Sequence, residues 1–161
     1  MLKSLFRPSP KDSWQRIVKA FTDVVGKDGV VQRKDELLTY ECDGLASYRQ
    51  RPKVVVLPRT TEQVAEVVKV CDQYNLPWVA RGAGTGLSGG ALPLENGVLI
   101  VTARMNEILE TDLANQRVVV QPGVINNWVT QAVSGKGFYY APDPSSQIIC
   151  SIGGNVAENS G

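Results

Sequence analysis

The stretch 80–103, ARGAGTGLSGGALPLENGVLIVTA, decides the fold. Glycines stand at 82, 84, 86, 89 and 90, directly after the short apolar run Leu76–Ala80 and shortly before a second one, Gly97–Ala103. Glycine is spent in this way for two reasons: it reaches φ > 0 without a Cβ penalty, and it lets a ligand approach the main chain. Gly84, Gly86 and Gly89 also spell G-x-G-x-x-G, the fingerprint of a dinucleotide-binding Rossmann unit. That unit needs its glycine loop to open a helix whose N-terminal amides receive the pyrophosphate, within a crossover of about a dozen residues. Only Gly90 to Gly97 separate Gly89 from the next strand, and they contain Pro93 and the turn signal Asn96-Gly97. No helix fits, so the fingerprint is a coincidence of letters. A Walker loop fails too, because no Lys-Ser or Lys-Thr follows the glycines. Two readings remain open: a nest of backbone N–H groups that holds anionic oxygens, helped by the Thr85 and Ser88 hydroxyls, or a tight glycine turn with no ligand.

Outward from this loop the signals alternate. Lys53–Pro58, KVVVLP, reads as a buried strand, and Thr60 with Gln63 forms a capping box for a helix carrying Val64, Val67, Val68, Cys71 and Tyr74. Asn75 and Pro77 end it, so the chain to Ala103 reads as a β-α-β unit. Beyond it the pattern changes. A strand near Ile108–Asp112 and another at Arg117–Gly123 flank the turn-like ANQ and predict an antiparallel hairpin. Val124, Ile125, Trp128, Val129, Ala132 and Val133 then predict an amphipathic helix ending near Gly135 and Gly137. Upstream, Asp12 with Gln15 caps a helix bearing Trp14, Ile17, Val18, Phe21, Val24 and Val25, with Gly26 as its stop. The expected class is α+β: a helical and extended docking segment over 1–52, then a domain over 53–161 in which a β-α-β subdomain precedes a mixed, antiparallel α+β one.

Composition narrows the function. The 161 residues are 43% apolar and 20% charged, an ordinary globular balance. Lys plus Arg number 17 against 16 for Asp plus Glu, and a net charge of +1 offers no field for nucleic acid or an anionic membrane. Arg49, Arg51 and Lys53 read as a solvated loop. No apolar run approaches the roughly 18 residues of a membrane span, and MLKSLFRPSP lacks a signal-peptide core, so a cytoplasmic protein is expected, peripheral to a membrane only through partner subunits. Cys42, Cys71 and Cys150 are odd in number and far apart, which indicates neither a disulfide framework nor a metal site. The chain contains no His, so it holds no Ser-His or Cys-His machine; any chemistry must come from a cofactor.

A second cluster, APDPSSQIICSIGGNVAENSG at 141–161, pairs a rigid Pro-Asp-Pro turn with two serines, Gly153-Gly154, Asn155 and Asn159. These are binding residues without a proton shuttle. Together with RGAGTGLSGGA and the preceding VVVLPRTTEQVAEVVKVC, this order of motifs resembles the flavin-binding domain of the vanillyl-alcohol oxidase family, the PCMH-type FAD domain. Within that family it is similar to the FAD subunits of bacterial glycolate oxidases and to D-lactate and D-2-hydroxyglutarate dehydrogenases. The likeness runs from about Lys53 to Gly161. It implies that the glycine loop wraps the FAD pyrophosphate, placing Arg81, Gly82, Ala83, Gly84, Thr85, Gly86, Leu87 and Ser88 at the diphosphate. It further implies that Pro142, Asp143, Ser146, Ile152, Gly153, Gly154, Asn155 and Asn159 line the flavin ring and ribityl chain, with a plain turn residue as the lesser alternative for Asp143. Some relatives attach FAD through a His in the glycine loop; its counterpart here is Thr85, which implies noncovalent FAD. No catalytic residue and no metal ligand is assigned.

The family's members run to several hundred residues, so this chain reads as an N-terminal portion that stops inside the second motif, with the substrate-binding cap and any contacts to other subunits of a glycolate oxidase complex lying elsewhere. Three functions stay in view: the FAD-binding portion of a 2-hydroxy-acid dehydrogenase or oxidase, a nicotinamide-binding Rossmann domain, and a non-catalytic fragment. Glycolate and D-lactate differ by a methyl, a difference that pockets discriminate by only about 1–3 kcal/mol.

Overall fold

The computed structural model describes residues 10–160. Its first layer is built on strands that are apolar on both faces. β2 (Val54–Val56) and β4 (Val98–Val101) are buried at every position, as strands covered on both sides must be. Their side chains alternate between two packings. Val54, Val56, Val98 and Ile100 meet α1 (Pro10–Val25) and α3 (Thr61–Gln73) through Ile17, Phe21, Val25, Val67 and Cys71. Val55, Leu99 and Val101 pack on the opposite face against Leu37, with Val31, Tyr40, Leu57 and Val79 around them. The helix expected to dock from the N-terminal segment is therefore an integral part of this core. Burying such Val, Leu and Phe side chains stabilises by about 1.5–3 kcal/mol each.

The sheet order is β1-β2-β4-β3, where β1 is Val30–Val31 and β3 is Trp78–Arg81. β1 runs antiparallel to β2, and β4 lies parallel to both β2 and β3, with Leu99 opposite Val55 on one side and Val79 on the other. β4 thus inserts between the strands that α3 connects. The crossover from β3 back to the centre of the sheet is the glycine-rich segment 82–97 itself, which contains no helix. Neither β1 nor the one-turn α2 (Lys34–Leu37) carries enough sequence to be read in advance.

Two caps differ from expectation. α1 begins at Pro10, so Asp12 lies inside its first turn instead of preceding it. Thr60 does cap α3, its hydroxyl accepting from Gln63 N at 3.2 Å, but the Gln63 amide oxygen accepts from Arg59 N at 2.7 Å, one residue before the position of a capping box. The other arm of that amide donates to Val24 O at 3.1 Å and so ties α3 to the end of α1. Gly26 ends α1 at φ 80, and Asn75 leaves α3 at φ 49. The basic residues near 50 are not merely solvated: Arg49 pairs with Glu41 at 2.9 Å, and Lys53 Nζ lies 4.1 Å from the centre of the Trp14 ring.

The second layer opens with the hairpin β5 (Ile108–Asp112) and β6 (Arg117–Val120), antiparallel with a bulge between Ile108 and Glu110. Gln116 takes φ 54 in its turn, and Asp112 accepts from Asn115 N and Nδ2 at 3.1 and 2.6 Å and from Arg117 Nε at 3.1 Å. Those bonds, the Asn115 side chain first, hold the Asp112 carboxyl below the usual carboxylate range. α4 (Asn126–Ser134) follows, starting later than Val124 and Ile125: Val124 lies in a bend and Ile125 caps the helix in extended backbone. The segment around Gly153, for which the sequence predicted no element, is a helix, α5 (Ile152–Glu158), capped by Ser151 and closed by Asn159 at φ 52. Among the described residues no helix is long and apolar enough to cross a membrane.

Candidate functional site

The glycine loop leaves the end of an edge strand and is held from below, from the side and from its tip. Below it sits Arg81. Its Nη1 donates to Cys42 O at 2.7 Å, the Tyr40 ring centre lies 6.0 Å from its Cζ, and burial pushes the guanidinium's pKa down, opposed by the charge of Asp43. It remains a cation at neutral pH. Asp43 is only 6% exposed; its Oδ1 accepts from Leu45 N at 2.9 Å, while Oδ2 is, among the described residues, a buried side-chain atom left without a hydrogen-bond partner. Arg81 attracts it electrostatically without forming an ion pair. Gly44, next along, lies so close under the loop that a Cβ there would stand 2.6 Å from Thr85 O and 2.7 Å from Gly86 O.

The glycines serve different ends. Gly84 and Gly89 adopt φ 72 and 76, which L-residues avoid. Gly82 is needed for contact, since a Cβ would fall 2.1 Å from Ser151 Oγ, and at Gly90 it would fall 2.4 Å from Glu158 Oε1. Gly86 has room, with nothing nearer to its Cβ position than Glu158 at 3.9 Å, and at Gly89 nothing lies within 4 Å.

From the side, the start of α5 packs on the loop and is stitched to the entry of α4. Asn126 N donates to Cys150 O at 3.0 Å, Ile152 N to Val124 O at 2.8 Å and Gly153 N to Pro122 O at 2.8 Å. Gly154 N donates to Ser151 Oγ at 3.3 Å. The first-turn amides of α5, which a helix usually leaves free, are thus satisfied by the protein. The contrary holds for the glycine loop. Among the described residues, no acceptor takes the backbone N–H groups from Ala83 to Ser88. Donors without internal acceptors, in a loop opening on a cleft, are what an anionic ligand satisfies.

That cleft has a volume of about 650 Å³, within the range of roughly 300–1,000 Å³ usual for small-molecule sites. It brings together the whole run Arg81–Ser88 with Ser146, Gly153, Gly154 and Asn155, and adds Thr102, Pro144, Ser151 and Glu158, which sequence reasoning missed. The other expected residues lie differently. Pro142 does not line the cleft; its carbonyl accepts from Asn126 Nδ2 at 3.0 Å. Asp143 is exposed and accepts from Gln147 Nε2, the geometry of a turn residue. Ile152 lines a separate cavity between α4 and the hairpin, and Asn159 is exposed at the end of α5. Ser151 was legible in principle, as a Ser preceding a helical stretch; Glu158 was not, because it reaches the loop across 70 residues of chain.

Comparison with known proteins gives the chain's relatives. A family model described as an FAD binding domain matches residues 52–161. Glycolate oxidase subunit GlcD of Escherichia coli (strain K12) is 58% identical over 132 residues, covering 82% of this chain and 26% of that protein. D-lactate dehydrogenase of Anaerostipes hadrus is 42% identical over 120 residues, covering 74% of this chain and 25% of that one. The structure of an alkyldihydroxyacetonephosphate synthase superposes with a TM-score of 0.79 at 22% identity, covering 89% of this chain and 29% of that one, a likeness of fold. The chain spans about a quarter of the length of the curated relatives it matches.

Proposed function

The chain belongs to the FAD-binding domain family, of the PCMH type, and we propose that its glycine loop takes the diphosphate of FAD noncovalently as part of a flavoprotein that oxidises a 2-hydroxy acid such as glycolate or D-lactate. The observation that carries this reading is the set of backbone N–H groups from Ala83 to Ser88 that find no acceptor in the protein. A diphosphate offers several anionic oxygens at the spacing of successive amides, and the Thr85 hydroxyl and the Arg81 charge add to the same field. Ser146, Ser151, Gly153 and Asn155 line the continuation of the cleft, where small and hydrogen-bonding groups suit the ribityl chain and flavin edge. The domain proposed to bind the cofactor spans 53–161.

FAD bound there supplies a two-electron acceptor for a CH–OH group. The chain's own residues bind and orient it; with no His, and with carboxylates placed in turns and on helix faces, none of them is assigned the proton transfer. The substrate class follows from the names of the similar proteins, a glycolate oxidase subunit and a D-lactate dehydrogenase. A nicotinamide-binding reading is disfavoured by the helix-free crossover after the glycines. The purified chain is expected to carry or take up flavin that is released by heat or acid and runs as FAD on chromatography. Recovery of FMN alone would end the diphosphate reading, and flavin that stays on the denatured chain would end the noncovalent one.

A further inference from the structure

The cleft holds one acidic side chain, and it stands against the glycine loop. Glu158, in the last turn of α5, accepts a hydrogen bond from Ser88 Oγ at 2.6 Å through Oε2, across 70 residues of sequence. Its Oε1 lies 2.4 Å from where a Cβ of Gly90 would be, and its carboxyl reaches to 3.9 Å from that of Gly86. An anion therefore already sits at the mouth of the loop whose backbone N–H groups lack acceptors, and it engages the Ser88 hydroxyl of that loop. The side chain is exposed and lies at the end of a short helix, so its position is set by Ser88 and not by burial. Arg81, the basic side chain of the same cleft, lies against Gly84 and, among the described residues, makes no ion pair with Glu158.

We infer that Glu158 is a specificity-determining residue that acts as an internal stand-in for phosphate: its carboxylate occupies the rim of the anion site in the ligand-free chain and weakens the binding of phosphorylated flavin by like charge. The inference rests on the proposal that this loop receives the FAD diphosphate. On binding, the Ser88 hydroxyl turns from Glu158 to a phosphate oxygen, and the carboxylate moves away from the loop or stays as a repulsive neighbour. Either way the cost falls on ligands that carry phosphate and not on the bare isoalloxazine. A residue that merely latched the loop to α5 would behave in the opposite way, since losing it would loosen the site.

The test is a titration of FAD, FMN and riboflavin into the chain and into its Glu158→Gln and Glu158→Ala variants, with melting temperatures measured alongside. Both variants are expected to bind FAD more tightly, by about three- to tenfold for a single like charge near the surface. The gain should be smaller for FMN and absent for riboflavin. Melting of each variant in the presence of inorganic pyrophosphate supplies a readout independent of flavin, with a larger rise expected for Glu158→Gln than for the parent. Unchanged or weaker FAD binding in Glu158→Gln, or an equal pyrophosphate response, overturns the inference. A parent chain that binds neither FAD nor pyrophosphate, while Glu158→Gln gains no pyrophosphate response, would overturn the diphosphate reading along with it.

Discussion

Gly84 and Gly89 have nearly the same backbone, φ 72 and 76, yet they differ in what surrounds them. Nothing lies within 4 Å of a Cβ built at Gly89, whereas at Gly84 it would stand 2.2 Å from Arg81 Nη2 and 2.3 Å from Cζ. Alanine at Gly89 should therefore meet only the left-handed penalty of about 1–2 kcal/mol. Valine at Gly84 meets that penalty and also displaces the guanidinium, so Gly84→Val is expected to lose FAD affinity by at least tenfold while Gly89→Ala keeps most of it. Equal affinities in the two variants, measured by flavin titration, would show that the centre of the loop does not face the cofactor. That the stretch 80–91 is a helix-free glycine loop was legible from glycine density and the short spacing to the next strand. Why each glycine is there was not, because Gly82 answers to Ser151 and Gly90 to Glu158, contacts that no local pattern encodes.

At the scale of elements, the hydrogen bonds of one asparagine join α4, α5 and the Pro142 segment. Asn126 is 1% exposed; its Nδ2 donates to Pro142 O at 3.0 Å, and its Oδ1 accepts from Asn155 Nδ2 at 2.9 Å. Buried amides of this kind are costly to break, because each partner left behind is an unsatisfied polar group. Asn126→Ala is expected to destabilise the chain by about 2–4 kcal/mol in urea unfolding and to weaken FAD binding as α5 loses its seat. A loss below about 0.5 kcal/mol would mean that the network contributes little. The same contacts explain why α5 was hidden in the sequence. Two glycines in its first turn disfavour a helix by about 1 kcal/mol each, and what offsets them is tertiary: the Ser151 cap, the bond from Gly153 N to Pro122 O, and Asn155. By contrast α3 and the hairpin were readable because period, cap and turn residues all agree locally.

For the molecule as a whole, the valine-rich central strands were the surest part of the reading, since strands buried on both faces need no partner information to be recognised as core. Their order was not readable: β4 lies between β2 and β3, a placement set by packing on α1 and α3. That packing also seals in a titratable group. Cys71, fully buried on α3 against the sheet, has its thiol pushed up from 9.0 to about 11 by burial. The sign of its effect follows from linkage. Below pH 9 the thiol keeps its proton in both states, and its contribution is fully present. Between 9 and about 11 the unfolded chain releases a proton that the native chain retains, so stability falls as pH rises through that window. The exposed carboxyls of Asp28 and Asp35 are lowered by Arg104 and Arg33, and they act at the opposite end, shallowly, as pH drops below the usual carboxylate range. Melting temperature should therefore be nearly flat from about pH 6 to 8 and decline above 9. Cys71→Ala should lower the plateau through its small cavity but lose part of the alkaline slope. An unchanged slope in that variant would show that the buried thiol does not set the alkaline loss.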